Sequence, residues 1–256
     1  MRIALIQPAV RWRAPQENIR RVERLIAQAG AADLYLLPEM WATGFHACPY
    51  EEMDGHSQLA LEWMRRTAAA TGSAVAGALA MKEAADEDGA PVWRNRFLFI
   101  RPDGTAVHYD KRHLFAPAGE HRHYLAGTRR TTVEWRGVRF LLQTCFDLRF
   151  PESARRRAHA PYDVVLYTAS WPQQRQRAWN VLLAARAIEN QAYAIGVNNA
   201  GEGGGLTYLG HSAAYGPDGT PLAPPIAGEG YAVVDISAEA VHRFRLAFPV
   251  PLADDE

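Results

Sequence analysis

Lysine is almost absent from this sequence: against 26 arginines there are two lysines, Lys82 and Lys111. Cysteine is equally scarce, with Cys48 and Cys145 far apart and no CxxC pair. That excludes a thiolate zinc site of the usual spacing and a thioredoxin-like dithiol. Net charge is missing too, because 28 basic residues balance 28 acidic ones. Such a chain has no long-range field to draw nucleic acid or an anionic membrane. The arginine run 155–157 and the pairs at 20–21, 65–66 and 129–130 are dispersed and read as solvated faces or subunit contacts. No apolar run approaches the roughly 18 residues of a membrane span. The opening MRIALIQPAV has a short apolar stretch that runs into Arg11-Trp12-Arg13, so no signal peptide is expected. A reducing cytoplasm, where cysteines stay thiols, is the expected location. There is no GKS or GKT for a phosphate loop, and the glycine run 201–205 lacks the strand–GxGxxG–helix setting of a dinucleotide site. It reads as a loop near a site or an interface. With no linker, low-complexity stretch or repeat, one domain over residues 1–256 is expected.

What is present is an alternation of strand and helix. Strands are expected at 2–10, 33–38 (DLYLLP), 73–80, 163–168 (DVVLYT), 193–198, 206–215 and 231–236. Hairpins are expected from 93–101 with 105–111, about Pro102-Asp103-Gly104, and from 131–135 with 138–144. Residues 16–29 read as a helix, with Val22, Leu25, Ile26 and Ala29 on one stripe. Residues 57–71 read as another, with Ser57 as its N-cap. Residues 177–191 form a strong helical pattern, with Val181, Ala184, Ala185 and Ile188 on one stripe and Trp179, Leu182 and Leu183 on another, so it is expected to be buried. A further helix should follow Pro151, a short one should close the chain, and the acidic stretch 84–89 should be a surface loop. Mixed βα units and hairpins point to an α/β fold with mixed sheets.

Three of the strand-like runs end in a reactive side chain. DLYLLP runs into Glu39, AVHYD into Lys111 and VRFLLQT into Cys145. Ligands in α/β folds gather outside the carboxyl ends of strands. The types suit attack on an amide. A thiol at pKa ~8.5 is mostly protonated at neutral pH and needs an acceptor. A carboxylate supplies one and can return the proton to a leaving amine. An ammonium with a backbone N–H stabilises the oxyanion. In so arginine-rich a chain, Lys111 beside Arg112 is not explained by positive charge alone; it suits a place for a compact point charge that a planar guanidinium cannot fill. Taken singly, the three also fit a buried core thiol, a loop carboxylate and a surface charge.

The blocks LPEMWATGF (37–45), YDKRHLF (109–115), CFDLRFPE (145–152) and ARAIENQAY (185–193) resemble, in order, the signature blocks of the nitrilase superfamily of carbon–nitrogen hydrolases. The resemblance runs from Ile3 to about Pro249. It implies a four-layer α-β-β-α sandwich, commonly paired into homodimers, and a catalytic triad of Glu39, Lys111 and Cys145. It also implies a second glutamate, placed at Glu120, and an oxyanion hole of Lys111 with the Phe146 N–H. The text at 95–127 and SWPQQR at 170–175 is similar to the omega-amidase branch, whose substrates are 2-oxoglutaramate and 2-oxosuccinamate. Those substrates carry a distal carboxylate, for which Arg175 is the candidate cation, with Phe45 and Trp171 as pocket walls. Ser170 departs from that branch, where Asn is expected.

No metal or other cofactor is expected: His108, His113, His121 and His123 match no zinc spacing. Cys48 is given no catalytic work because no strand leads into it. Glu189 and Asn190 are expected to make structural hydrogen bonds. The small-molecule amide and water are the expected partners. Another amidase or N-carbamoyl hydrolase of the same superfamily, such as one acting on deaminated glutathione, stays open beside the omega-amidase reading. So does a non-catalytic binding protein that keeps the fold.

Overall fold

The apolar runs fold into two sheets stacked face to face. The computed structural model describes residues 1–83 and 91–250, so the acidic stretch expected as a loop at 84–89 lies outside the described residues. In chain order the strands are β1 (Arg2–Gln7), β2 (Leu34–Glu39), β3 (Ala74–Lys82), β4 (Trp93–Ile100), β5 (Ala106–Asp110), β6 (Thr132–Trp135), β7 (Val138–Thr144), β8 (Val164–Ala169), β9 (Tyr193–Asn198), β10 (Ala200–Gly203), β11 (Leu206–Leu209), β12 (Ala213–Tyr215) and β13 (Gly230–Asp235). The helices are α1 (Pro15–Ala29), α2 (Met53–Thr71), α3 (Pro151–Ala154), α4 (Gln176–Asn190) and α5 (Ala238–Ala247).

One sheet runs β13-β1-β2-β3-β4-β5, the other β12-β9-β8-β7-β6, and β10 with β11 forms a separate ribbon. Strands β1, β2 and β3 are mutually parallel, as are β7, β8 and β9, while the outer strands join antiparallel. The period-2 alternation sends Ile3, Leu5, Leu34 and Leu36 toward the second sheet, where they meet Phe140, Leu142, Val164 and Leu166. The alternate residues Ala4, Ile6, Tyr35 and Leu37 face α1 and α2. Both faces of these strands are buried, which is why they read as continuous apolar runs. Helix α4 closes the far side, packing Trp179, Leu183 and Ala187 on β8 and β9. The order is helix, sheet, sheet, helix, as the sequence resemblance implied.

Three sequence expectations need correction. Helix α2 begins at Met53, and no side chain caps it. Ser57 lies on its buried face, in register with Met53, Ala60, Leu61 and Met64, so it is an interior residue. In α4 the Val181–Ile188 row is not buried: Val181 is 59% and Ile188 54% exposed. The larger Trp179 and Leu183 take the core side, against Gly196 of β9, where a Cβ would come within 2.6 Å of Leu183 and 2.7 Å of Trp179. The strand expected at 206–215 is two strands, because the chain turns left-handed at Gly210 (φ 79°) and His211 (φ 56°). The helix expected after Pro151 is present as a single turn, α3.

Candidate active site

The ends of β2, β5 and β7 converge on one cavity. Glu39 is the last residue of β2, Lys111 follows β5, and Cys145 follows β7. Two of these strands turn sharply at their ends: Met40, after Glu39, and Cys145 itself both have φ of 47°. Non-glycine residues rarely hold that conformation, and where they do the surroundings must fix it. At Cys145 the fixing group is Asp147, whose carboxylate accepts from the Thr144 N–H at 2.8 Å, the Tyr109 hydroxyl at 2.8 Å and the His113 N–H at 3.1 Å. The strand that delivers Lys111 is thereby tied to the turn that delivers Cys145.

Lys111 Nζ lies 2.8 Å from Glu39 Oε1 and 2.9 Å from Glu120 Oε2, and all three side chains are fully buried. The Asn95 amide donates to both carboxylates, at 2.7 Å to Glu39 Oε1 and 2.8 Å to Glu120 Oε1. The Ser170 N–H donates to Glu39 Oε2 at 2.9 Å, and the Phe115 N–H to Glu120 Oε2 at 2.5 Å. Every contact on either carboxyl group is thus a donor, as an ionised carboxylate requires. Burial works against the Lys111 ammonium, but Glu120 and then Glu39 outweigh it and raise its pKa well above the ordinary value. With one proton given to each carboxyl group, that toward Glu120 shared between Oε2 and Oε1 at 3.2 Å, a third remains for the cavity that Lys111 lines.

Cys145 lies beside this cluster with Sγ 4.0 Å from the Ser170 carbonyl oxygen. Burial above all, and then the negative charge of Glu39, push its thiol well above the ordinary range; Lys111 opposes them. At rest the group is a thiol, so attack requires an adjacent proton acceptor. Phe146 follows in the first turn of the Cys145–Arg149 3-10 helix, where backbone N–H groups have no intrahelical acceptor.

A cavity of about 330 Å³ opens on Glu39, Lys111 and Cys145, and Phe45, Phe146, Trp171 and Arg175 are in its wall. Phe45 places its ring 5.3 Å from Lys111 Nζ. The Arg175 guanidinium lies 4.8 Å from the Phe115 ring centre and has no carboxylate partner among the described residues. Glu120 is not in the wall; it stands behind Lys111. Cys48, exposed, lines the same cavity. Glu189 and Asn190 make structural bonds within the α4 region: Arg186 donates to Glu189, and Asn190 donates to the Arg186 carbonyl and accepts from the Arg156 N–H.

Sequence reasoning missed several members. Asn95 bridges the two glutamates, and its only sequence signal is an amide in an apolar strand. Ser170 donates its hydroxyl to the Glu39 carbonyl at 2.8 Å and accepts from the Asn199 amide at 2.6 Å, so it shapes the seat of Glu39. Asn198 clamps the Trp171 backbone, accepting from its N–H at 2.7 Å and donating to its carbonyl at 2.9 Å. Tyr208 of β11 and Trp12 also line the cavity. Burial, and then the charges of Glu39 and Cys145, raise the Tyr208 phenol, with Arg175 opposing.

The family model for carbon–nitrogen hydrolase matches residues 2–246. The chain belongs to the carbon–nitrogen hydrolase family. It is 40% identical to an omega-amidase, YafV, of Yersinia enterocolitica, over 97% of this chain and 94% of that protein. It is 31% identical to a 2-oxoglutaramate amidase of Bacillus subtilis, over 97% and 95%. Among solved structures it is similar to XC1258 of Xanthomonas campestris, a CN-hydrolase superfamily protein with an arsenic adduct in its active site, at a TM-score of 0.87 and 38% identity over 97% of this chain and 95% of that one. The hydrolase is therefore an amidase-class enzyme of the nitrilase superfamily. No helix among its described residues is long and apolar enough to cross a membrane.

The raised thiol and ammonium have a consequence for stability. Both groups hold their protons more tightly in the folded hydrolase than in the unfolded chain. Their contribution is whole below the ordinary values of 9.0 for Cys145 and 10.5 for Lys111 and is lost as pH rises through the higher folded values. The urea midpoint of the wild type should therefore fall as pH climbs above 9, and fall less steeply in Cys145→Ser, which lacks the titrating thiol. Equal slopes in the two proteins would remove Cys145 from this account.

Proposed function

We propose that this hydrolase is an omega-amidase that cleaves the terminal amide of 2-oxoglutaramate and 2-oxosuccinamate. Cys145 Sγ attacks the amide carbon as Glu39 takes its proton. The oxyanion that forms is held by the free proton of Lys111 and the Phe146 N–H. Glu39 returns the proton to the nitrogen, the C–N bond breaks, and ammonia leaves a thioester on Cys145. Water then enters, gives a proton to Glu39 and adds to the thioester carbon. As the intermediate collapses, the C–S bond breaks, the thiol regains the proton, and the 2-oxo diacid departs. Glu120 takes no proton in this scheme; it holds Lys111 in place and balances its charge.

The observation that carries the substrate class is Arg175: a cavity-wall cation with no carboxylate partner among the described residues, on the same cavity as the Cys145 thiol. A substrate carrying a distal carboxylate supplies the missing partner. The similarity to an omega-amidase and to a 2-oxoglutaramate amidase points the same way. Arg175→Met should raise the KM for 2-oxoglutaramate by about tenfold or more, the effect of removing one partner of a charge-assisted contact. It should leave the KM of a neutral amide of the same length nearly unchanged. A KM for 2-oxoglutaramate equal to that of the wild type would remove Arg175 from substrate binding.

A further inference from the structure

Trp12, which lies far from the triad in sequence and carries no reacting atom, is in the wall of the catalytic cavity. Its indole occupies a seat made by three glycines. A Cβ at Gly44 would come within 2.5 Å of the ring, one at Gly203 within 1.9 Å and one at Gly204 within 2.1 Å. Gly44 belongs to the loop after β2, whereas Gly203 and Gly204 form the tip of the β10–β11 ribbon. Any larger residue at these places would drive the ribbon tip and the indole apart. The His46 ring packs on the other side, with its centre 4.3 Å from that of Trp12.

The ribbon itself has little else to hold it. Its strands pair with each other and belong to neither sheet. At its base Ala200 exchanges backbone hydrogen bonds with the segment before Trp12, donating to the Pro8 carbonyl at 3.0 Å and accepting from the Val10 N–H at 3.2 Å. Along its length β11 packs beside the Gln173–Arg175 turn. A two-stranded ribbon is marginal in water without such packing. Yet this ribbon supplies Gly204, Leu206 and Tyr208 to the cavity wall.

We infer that Trp12 is a specificity-determining positioning residue: it pins the tip of the β10–β11 ribbon as a fixed roof, and that roof limits the bulk of the amide that reaches Cys145. The roof is closed by shape, through the fit of one indole against three side-chain-free positions. Opening it requires either removing the indole or placing a side chain under the ribbon tip. Only the kinetic arm of the following test rests on the amidase reading.

The two openings are Trp12→Ala and Gly203→Val, the second of which leaves Trp12 in place. The kinetic readout is the ratio of kcat/KM for 3-phenylpropionamide to that for propionamide. The chemical readout is the ratio of Cys145 alkylation rates by N-phenylmaleimide and by iodoacetamide, followed on the Cys145 peptide by mass spectrometry so that Cys48 does not contribute. Both ratios should rise by about tenfold or more in each variant, the scale on which pocket bulk discriminates. Ratios within about twofold of wild type in either natively folded variant would overturn the inference. Should Trp12→Ala fail to fold, Gly203→Val decides. Should the wild type turn over no amide, the proposed function falls, while the alkylation ratio still decides the roof.

Discussion

Replacing Cys145 with alanine should lower amide turnover by a factor on the order of 10⁴ or more while leaving the fold intact, because no other group can form the thioester. Cys48, the only other thiol in the sequence, is exposed at the cavity, whereas the buried Cys145 has Glu39 beside it. The structural effect is small because the side chain is short and opens on the cavity, so a stability loss of about 1 kcal/mol is expected. The left-handed backbone at position 145 persists in the variant, since Asp147 holds it from outside through Thr144, Tyr109 and His113. Circular dichroism and thermal denaturation would report the intact fold, and ammonia release the lost turnover. A natively folded Cys145→Ala protein that still releases ammonia would end the covalent mechanism.

Lys111→Met should damage both stability and activity. It leaves Glu39 and Glu120 fully buried without their cation, with the Asn95 amide donating to both. Removing one partner of a buried ion pair costs about 3–5 kcal/mol, most of it the penalty of the charges left behind. The oxyanion loses its cation as well, for which a drop on the order of 10²–10³ in kcat is a minimum. Lys111→Arg separates the two roles. It restores positive charge, but the guanidinium is larger than the ammonium it replaces in a fully buried site, and its planar fork cannot aim one proton at each carboxylate and a third at the cavity. It should recover part of the stability and little of the activity. Thermal denaturation and kcat on the same preparations test this; an arginine variant with wild-type kcat would show that only the charge matters.

The parts of this site legible in the sequence are those set by local pattern. An apolar strand that runs into Glu39, another into Lys111 and a third into Cys145 can be read because strand period and strand end are properties of neighbours in the chain. The contrast between two lysines and 26 arginines marks Lys111 for the same reason. Asn95 could not be found in this way. Its role exists only because β4 places it between carboxylates 56 and 25 residues away in the sequence. The same holds for Trp12, whose partners are glycines at 44, 203 and 204. Periodicity failed in α4, where two apolar rows compete for one buried face and the larger side chains win. It failed again at Ser57, where a residue type suited to capping sits on the buried stripe of a longer helix. The split of the 206–215 run depends on Gly210 pressing against the Gln7 amide, a tertiary contact invisible to alternation.

The central claim is that this cavity releases ammonia from an amide with a distal carboxylate through a thioester on Cys145. The most direct measurement is ammonia release from 2-oxoglutaramate by the wild type, with acid-quenched samples taken during turnover for mass analysis of the Cys145 peptide. The account predicts ammonia together with a 2-oxoglutaryl group on that peptide. No ammonia from 2-oxoglutaramate would contradict the substrate assignment, and ammonia from an enzyme that never carries the acyl group would contradict the mechanism.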